Sequence, residues 1–136
     1  MGYRSDVKIV FYLTNGTIDT PPTEDNPLVP FAALKFWFEE TYPVAEAKDE
    51  WCAEIDYGDD HIILSYTDVK WYPSYEHVMA VEAVFEKFSA AFNSDGLTHR
   101  AQYEFVRVGE EDADIERECS SYSDHRLFVE RSIIFE

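Results

Sequence analysis

The stretch 74–93, SYEHVMAVEAVFEKFSAAFN, constrains the fold of this chain more than any other segment. Its apolar residues recur at steps of three or four, which predicts an amphipathic helix. The stripe consists of Val78, Val81, Phe85, Phe88 and Phe92. Ser74 can cap the start of this helix, and Gly96 can end it in a left-handed conformation. Three phenylalanines on one stripe need a wide apolar surface to cover, and a sheet provides one.

Six other segments have the composition of strands, because β-branched and aromatic residues alternate with polar ones or form short apolar runs. They are 7–14, 51–57, 61–66, 100–108, 113–119 and 127–135. A shorter helix is predicted for 30–42, since Pro30 suits a first turn and Pro43 stops a helix. The four prolines of 17–30 indicate a loop.

This order of elements predicts the fold class. A strand, a helix, two strands, a helix and a strand match a ferredoxin-like β-α-β-β-α-β core. We therefore expect an α+β protein in which two helices pack on one face of an antiparallel sheet of five to six strands. The last strands would form a C-terminal β extension at one edge. A length of 136 residues fits a single domain over 1–136.

Two strands are apolar on both sides, so the second sheet face also needs a cover. Ile63, Phe128 and Ile134, or their neighbours, would lie there. A homodimer that packs sheet against sheet is one solution. The loop at 17–30 folding over the face is the other.

The two cysteines and the search for targeting segments bear on the cellular compartment of the protein. Cys52 and Cys119 lie inside predicted strands and form no CxxC motif. They are expected to be buried thiols in a reducing compartment, with a disulfide between them as the alternative. No signal peptide or membrane span is evident, so we expect a soluble protein of the cytoplasm.

Charge is the most informative feature for function. The chain carries a net charge of −17. Residues 39–60 hold nine acids and one lysine, and residues 110–118 hold six acids and one arginine. This excess argues against nucleic acid or an anionic membrane as a direct partner and favours a basic protein surface.

Alternate residues of a strand lie about 6.6–6.8 Å apart on one face, so acids at every second position form a regular array. Because each DNA strand offers one phosphate per about 3.4 Å of axis, such an array could occupy a basic, nucleic-acid-binding groove. The candidate partner-binding residues are Glu46, Asp49, Glu50, Glu54, Asp56, Asp59, Asp60, Glu110, Glu111, Asp112, Asp114, Glu116 and Glu118. The alternative is a solvated surface whose like charges deter edge-to-edge aggregation.

Motifs of catalysis and cofactor binding are missing from the sequence. It contains no phosphate-binding glycine loop, no G-x-S-x-G and no H-E-x-x-H. The turn that holds Asp56, Asp59, Asp60 and His61 is the best candidate for a metal-dependent enzyme, but it fails the EF-hand pattern. A solvated acidic turn is the simpler interpretation, and we expect no cofactor, no metal and no catalytic residue.

The hexapeptide Gly2-Tyr3-Arg4-Ser5-Asp6-Val7 resembles the start of a group of small, mostly uncharacterised proteins encoded by phages and prophages. The resemblance covers six residues and carries no catalytic residue. It implies a phage accessory protein acting in the cytoplasm of a bacterial host, where small acidic phage proteins often block host factors. With the charge pattern, it leads to the hypothesis of a non-enzymatic nucleic-acid mimic. The competing hypothesis is a structural or oligomeric accessory protein whose acidity only maintains solubility.

Overall fold

The computed structural model describes residues 4–14, 30–92, 101–110, 114–120, 126–129 and 133–135. Its helices are α1 (Phe31–Thr41), α2 (Val44–Glu50) and α3 (Glu76–Phe92). Its strands are β1 (Arg4–Leu13), β2 (Glu54–Tyr57), β3 (His61–Lys70), β4 (Ala101–Val108), β5 (Ile115–Cys119), β6 (Leu127–Val129) and β7 (Ile133–Phe135). None of the described helices has the length and apolarity needed to cross a bilayer.

Five strands form an open antiparallel sheet in the order β2-β3-β1-β4-β5. β1 lies at its centre, pairing with β3 on one side and β4 on the other. Ile9 illustrates the register, since it lies opposite both Leu64 and Phe105. The predicted α+β class and antiparallel sheet are therefore confirmed.

One face of the sheet carries the helices. In β1, Val7, Ile9 and Phe11 bury their side chains toward this face, as the alternation of a strand requires. Phe11 contacts five aromatic rings, with centroid distances of 5.5–6.4 Å. The stripe of α3 supplies Phe85 and Phe88 to this core, and α1 supplies Phe38. The side chain of Phe92, predicted to complete the stripe, lies outside the described residues.

The second face is covered by a hairpin of β6 and β7, which pair with each other as a separate two-stranded sheet. Val10, Val106, Leu127 and Ile133 are buried between the sheet and the hairpin. The segment 127–135 is therefore two short strands rather than the single strand that was predicted. The hairpin already covers these side chains and packs against Ile63, so they need no second copy of the chain as a cover, and the homodimer stays a prediction. The side chains of Phe128 and Ile134 lie outside the described residues. Residues 17–29 of the competing loop lie outside the described residues.

A buried carboxylate fastens the hairpin to the sheet. Glu104 is 3% exposed, and it accepts a hydrogen bond from the hydroxyl of Tyr12 at 2.7 Å. The backbone N–H groups of Arg126 and Leu127 also donate to it, at 2.9 and 3.0 Å. Arg126 in turn places its guanidinium over the rings of Tyr12 and Phe135. Glu104 thus satisfies two backbone donors at the start of β6, of which that of Leu127 is buried and that of Arg126 partly buried.

The described part of the hexapeptide joins β1 to an irregularity in β3. The guanidinium of Arg4 donates to the carbonyl of Asp68, and the N–H of Asp68 donates to the carboxylate of Asp6. Asp68 has a positive φ of 54°, and the β1–β3 register shifts beside it. Two side chains of β1 therefore hold a strained residue of the neighbouring strand in place.

Three local predictions need correction. α2 was not predicted, and it lies within the acidic stretch 39–60, before β2. Cys52 lies before β2 with a positive φ of 55°, so β2 begins three residues later than predicted. Cys52 and Cys119 are both free and both exposed, which contradicts the expected burial and the alternative disulfide.

Candidate functional site

The sheet separates the two acidic segments. Glu54 and Asp56 lie in β2, whereas Glu116 and Glu118 lie in β5. These strands form opposite edges of the five-stranded sheet. Because neighbouring strands are about 4.8 Å apart, the two edges are separated by about 19 Å. The two acidic segments therefore do not lie side by side.

The two runs also point to different faces. Asp56 lies opposite Ile63, which packs against the hairpin cluster. Glu118 lies opposite Phe105, which belongs to the helix-covered core. Alternation along each strand then places Glu54 on the hairpin face and Glu116 on the helix face. Strand order and strand pairing therefore agree that the acids form two surfaces and not one.

The larger of the two sets surrounds β2. Its exposed members lie in α2, in β2 and in the middle of the following turn: Glu46, Asp49, Glu50, Glu54, Asp56 and Asp59. Asp60 is half-buried. Its carboxylate lies 2.8 Å from Nδ1 of His61 and 3.9 Å from Nη1 of Arg126.

Basic groups and backbone donors engage part of the set near β5. The carboxylate of Asp114 accepts two hydrogen bonds from the guanidinium of Arg107, at 2.8 and 3.2 Å. Glu110 accepts a hydrogen bond from the backbone N–H of Arg4 at 2.7 Å. Glu111 and Asp112 lie outside the described residues. Glu116 and Glu118 remain exposed, with Glu116 3.9 Å from Arg107.

Helix α3 adds two further carboxylates beside β5. A cavity of about 340 Å³ is lined by Glu82, Phe85, Glu86, Tyr103 and Glu118. A second cavity of about 320 Å³ shares Glu82 with the first, and Glu116, Trp71 and Tyr72 also line it. We call these adjoining cavities the α3–β5 groove. Its acids are Glu82, Glu86, Asp114, Glu116 and Glu118, its basic residue is Arg107, and its aromatic residues are Trp71, Tyr72, Phe85 and Tyr103.

The aromatic floor positions one of these carboxylates. The ring of Phe85 stacks on that of Tyr103, with 4.6 Å between centroids. The hydroxyl of Tyr103 donates to Oε1 of Glu118 at 3.3 Å. Burial, together with the charge of Glu118, raises the pKa of Tyr103 to about 12, so this hydroxyl keeps its proton at neutral pH. A carboxylate held beside aromatic rings suits a cationic side chain, which can pair with the charge and lie on a ring face.

Sequence reasoning did not find Glu82 and Glu86. They are exposed and four positions apart on α3, so they lie on one side of the helix. The available signal was their position beside the apolar stripe. A helix residue there lies at the boundary with whatever the stripe covers, and here it covers the β4–β5 side of the sheet.

The turn proposed for metal-dependent chemistry does not gather its four side chains. His61 contacts its neighbour Asp60 and also lies against the ring of Phe135, with centroids 4.6 Å apart. Asp56 belongs to β2 and is exposed at the sheet edge. In the described part of the chain, no three His, Cys, Asp or Glu side chains are close enough to hold a metal ion.

Two further tyrosines with raised pKa values lie in the core and not in a cleft. Tyr42 and Tyr66 are each 1% exposed, and their hydroxyls are hydrogen-bonded to each other. Burial raises both pKa values, that of Tyr66 to about 12. A substrate has no access to either hydroxyl, so we regard this pair as structural.

Comparisons with protein-family models, with curated proteins and with solved structures found no match to this chain. The candidate function therefore depends on the geometry and charge of the α3–β5 groove.

Proposed function

We propose that this protein is a non-enzymatic binding protein whose α3–β5 groove receives a basic segment of a partner protein. One observation carries the proposal: four carboxylates from α3 and β5 surround two adjoining cavities with aromatic walls. Arg107 lines the second cavity, where it pairs with Asp114 and lies 3.9 Å from Glu116, so the charges of Glu82, Glu86 and Glu118 are left for a partner. Cationic side chains with long apolar stems complement such a groove.

The partner we propose is a nucleic-acid-binding protein of a bacterial host, with this chain acting as a phage accessory protein in the cytoplasm. The net charge and the hexapeptide resemblance support this proposal. Glu116 and Glu118 are separated by about 6.8 Å along β5, within a factor of two of the phosphate spacing of DNA. The exposed acids around β2 would then steer the basic partner over a distance rather than contact it in the groove.

The fold that supports this groove is, in our proposal, a ferredoxin-like core extended by β5. β3 lies between β1 and β2 and is antiparallel to both, and β4 flanks β1 on its other side. This is the strand order expected of a ferredoxin-like β-α-β-β-α-β core. β5 then lengthens the core at the β4 edge and provides one wall of the groove.

A comparison of two charge-reversed variants tests the proposed function. The groove variant is Glu116→Lys/Glu118→Lys, and the control is Glu40→Lys/Glu76→Lys, which changes the net charge equally on exposed positions of α1 and α3 that belong to neither set of candidate partner-binding residues. Immobilised protein would be exposed to bacterial lysate at low and high salt, and the retained proteins identified by mass spectrometry.

We expect the native protein and the control to retain nucleic-acid-binding proteins at low salt, and the groove variant to lose them. Equal losses in both variants would show that only net charge matters, which favours the accessory protein whose acidity maintains solubility. Retention of nothing basic by the native protein would refute the proposal.

A further inference from the structure

β5 is an open edge of the sheet. Every one of its five residues, Ile115–Cys119, is exposed. Within the described part of the chain, β4 is its only strand neighbour. A strand with these properties can accept another strand, because its outer row of backbone N–H and C=O groups is available for pairing.

Two backbone hydrogen bonds establish which groups of β5 point outward. Gly109 donates to the carbonyl of Asp114 at 2.8 Å, and Ser120 donates to the carbonyl of Tyr103 at 3.0 Å. Hydrogen-bonded pairs alternate along an antiparallel ladder, so even-numbered residues of β5 bond to β4. The N–H and C=O groups of Ile115, Arg117 and Cys119 therefore point away from the sheet.

The side chains between these outward groups face the groove. Glu116 and Glu118 lie opposite Arg107 and Phe105 of β4, on the helix-covered face. A strand added at the edge would place its own residues directly opposite Glu116 and Glu118 at every second position. The edge therefore offers three outward backbone positions and two carboxylates in a fixed register.

We propose that an extended segment of the basic partner adds to β5 as a sixth strand, with lysine or arginine at alternate positions opposite Glu116 and Glu118. This inference rests on the proposed function and specifies the form in which the partner binds. Each cation would pair with a carboxylate, while the residues between them would exchange backbone hydrogen bonds with Ile115, Arg117 and Cys119.

Charge complementarity favours this occupant over a second copy of the chain. Two copies of β5 paired antiparallel about Arg117 would place Glu116 of each opposite Glu118 of the other. Like charges directly across a strand pair are destabilising. A basic strand turns the same positions into attractive pairs.

Three synthetic peptides test the inference by NMR titration at low ionic strength. The first alternates lysine and threonine over seven residues and begins with lysine. The second has the same composition with all lysines contiguous. The third is the alternating peptide N-methylated at its threonines, which removes the N–H groups that would bond to the edge. We expect the alternating peptide to bind about tenfold or more tightly than the N-methylated one, which loses several hydrogen bonds. We also expect it to bind more tightly than the contiguous one, and to shift the amide resonances of Ile115, Arg117 and Cys119.

The outcomes distinguish this inference from the proposed function. Equal, salt-sensitive binding of all three peptides would overturn strand addition and leave the basic-segment groove standing. Binding of none of them would overturn both.

A matched pair of variants tests the edge itself. Ile115→Pro removes one outward N–H at the first position of an edge strand, where proline is tolerated. Ile115→Thr keeps that N–H and serves as its control. We expect only the proline variant to weaken binding of the alternating peptide, by about two- to tenfold for one lost bond. Equal affinity in both variants would overturn strand addition. Should the proline variant fail to fold, the comparison of peptides on the native protein still decides.

Discussion

Replacing Glu104 by glutamine should weaken the attachment of the C-terminal hairpin to the sheet. The substitution leaves the shape of the side chain almost unchanged. The carboxylate accepts from the Tyr12 hydroxyl and from the backbone N–H groups of Arg126 and Leu127, at 2.7–3.0 Å. An amide has only one oxygen. In either orientation its NH₂ group faces one of the two backbone donors, so one buried hydrogen bond is lost and a donor is left unsatisfied.

The magnitude follows from the number and charge of these bonds. A hydrogen bond to a charged group contributes about 1.5–3 kcal/mol, and one between neutral groups about 0.5–1.5 kcal/mol. Glu104→Gln loses one charged bond and converts the others to neutral ones. We therefore expect the free energy of unfolding to fall by about 3 kcal/mol, a large share of the stability of a small domain.

Urea unfolding followed by circular dichroism would measure the loss, and hydrogen exchange would locate it. The amides of Arg126 and Leu127 should exchange faster in the variant. Their increase in exchange rate should exceed the increase measured for amides in the centre of β1. Glu86→Gln is the control, because this side chain is exposed on α3 and its replacement should change stability by less than about 0.5 kcal/mol. A Glu104→Gln protein as stable as the native one, with unchanged exchange at both amides, would refute the anchoring role of Glu104.

Three further predictions concern the core, the β2–β3 turn and the thiols. Because burial raises the pKa of Tyr66 from 10.0 to about 12, the folded state keeps a proton that the unfolded state loses. The contribution of Tyr66 to the free energy of unfolding should be complete below pH 10 and decline toward about pH 12. The free energy of unfolding should decline less over this range in Tyr66→Phe, and an identical decline would contradict this. Gly58→Ala should lower the free energy of unfolding by about 1–3 kcal/mol, because the new methyl group overlaps the imidazole of His61. The same substitution should cost less stability in a His61→Ala background, which lacks that ring, and an equal cost there would exclude this cause. Cys52 and Cys119 should both react with a thiol reagent in the folded protein, and a count below two would contradict their exposure.

The elements that sequence reasoning found are those with a strong local pattern. α3 was identified by five apolar residues at helical spacing, and four of these, Val78 to Phe88, are buried in the structure. α2 was missed because its seven residues bury only Ala47 and show no stripe of their own. A single small residue gives no periodic signal, and its burial depends on packing that the segment does not encode.

The candidate site required information that is not local. Both acidic strands were found in the sequence, but their placement at opposite edges depends on how β3, β1 and β4 order themselves between them. Glu104 shows the same limit on a smaller scale. In the sequence it alternates with Tyr103 and Phe105 and suggests a solvent face, whereas the hairpin comes from about twenty residues downstream to bury it.

The central position of β1 has a consequence for the order of events on the ribosome. Tyr12 and its buried partner Glu104 are separated by 92 positions in the chain. At about 5–20 residues per second, translation delivers β4 roughly 5–20 s after β1 has been made. During that interval the central strand of the sheet lacks one of its two neighbours. A newborn chain would therefore depend on chaperones, or on early pairing of β1 with β3, to avoid aggregation before synthesis reaches the far side of the sheet.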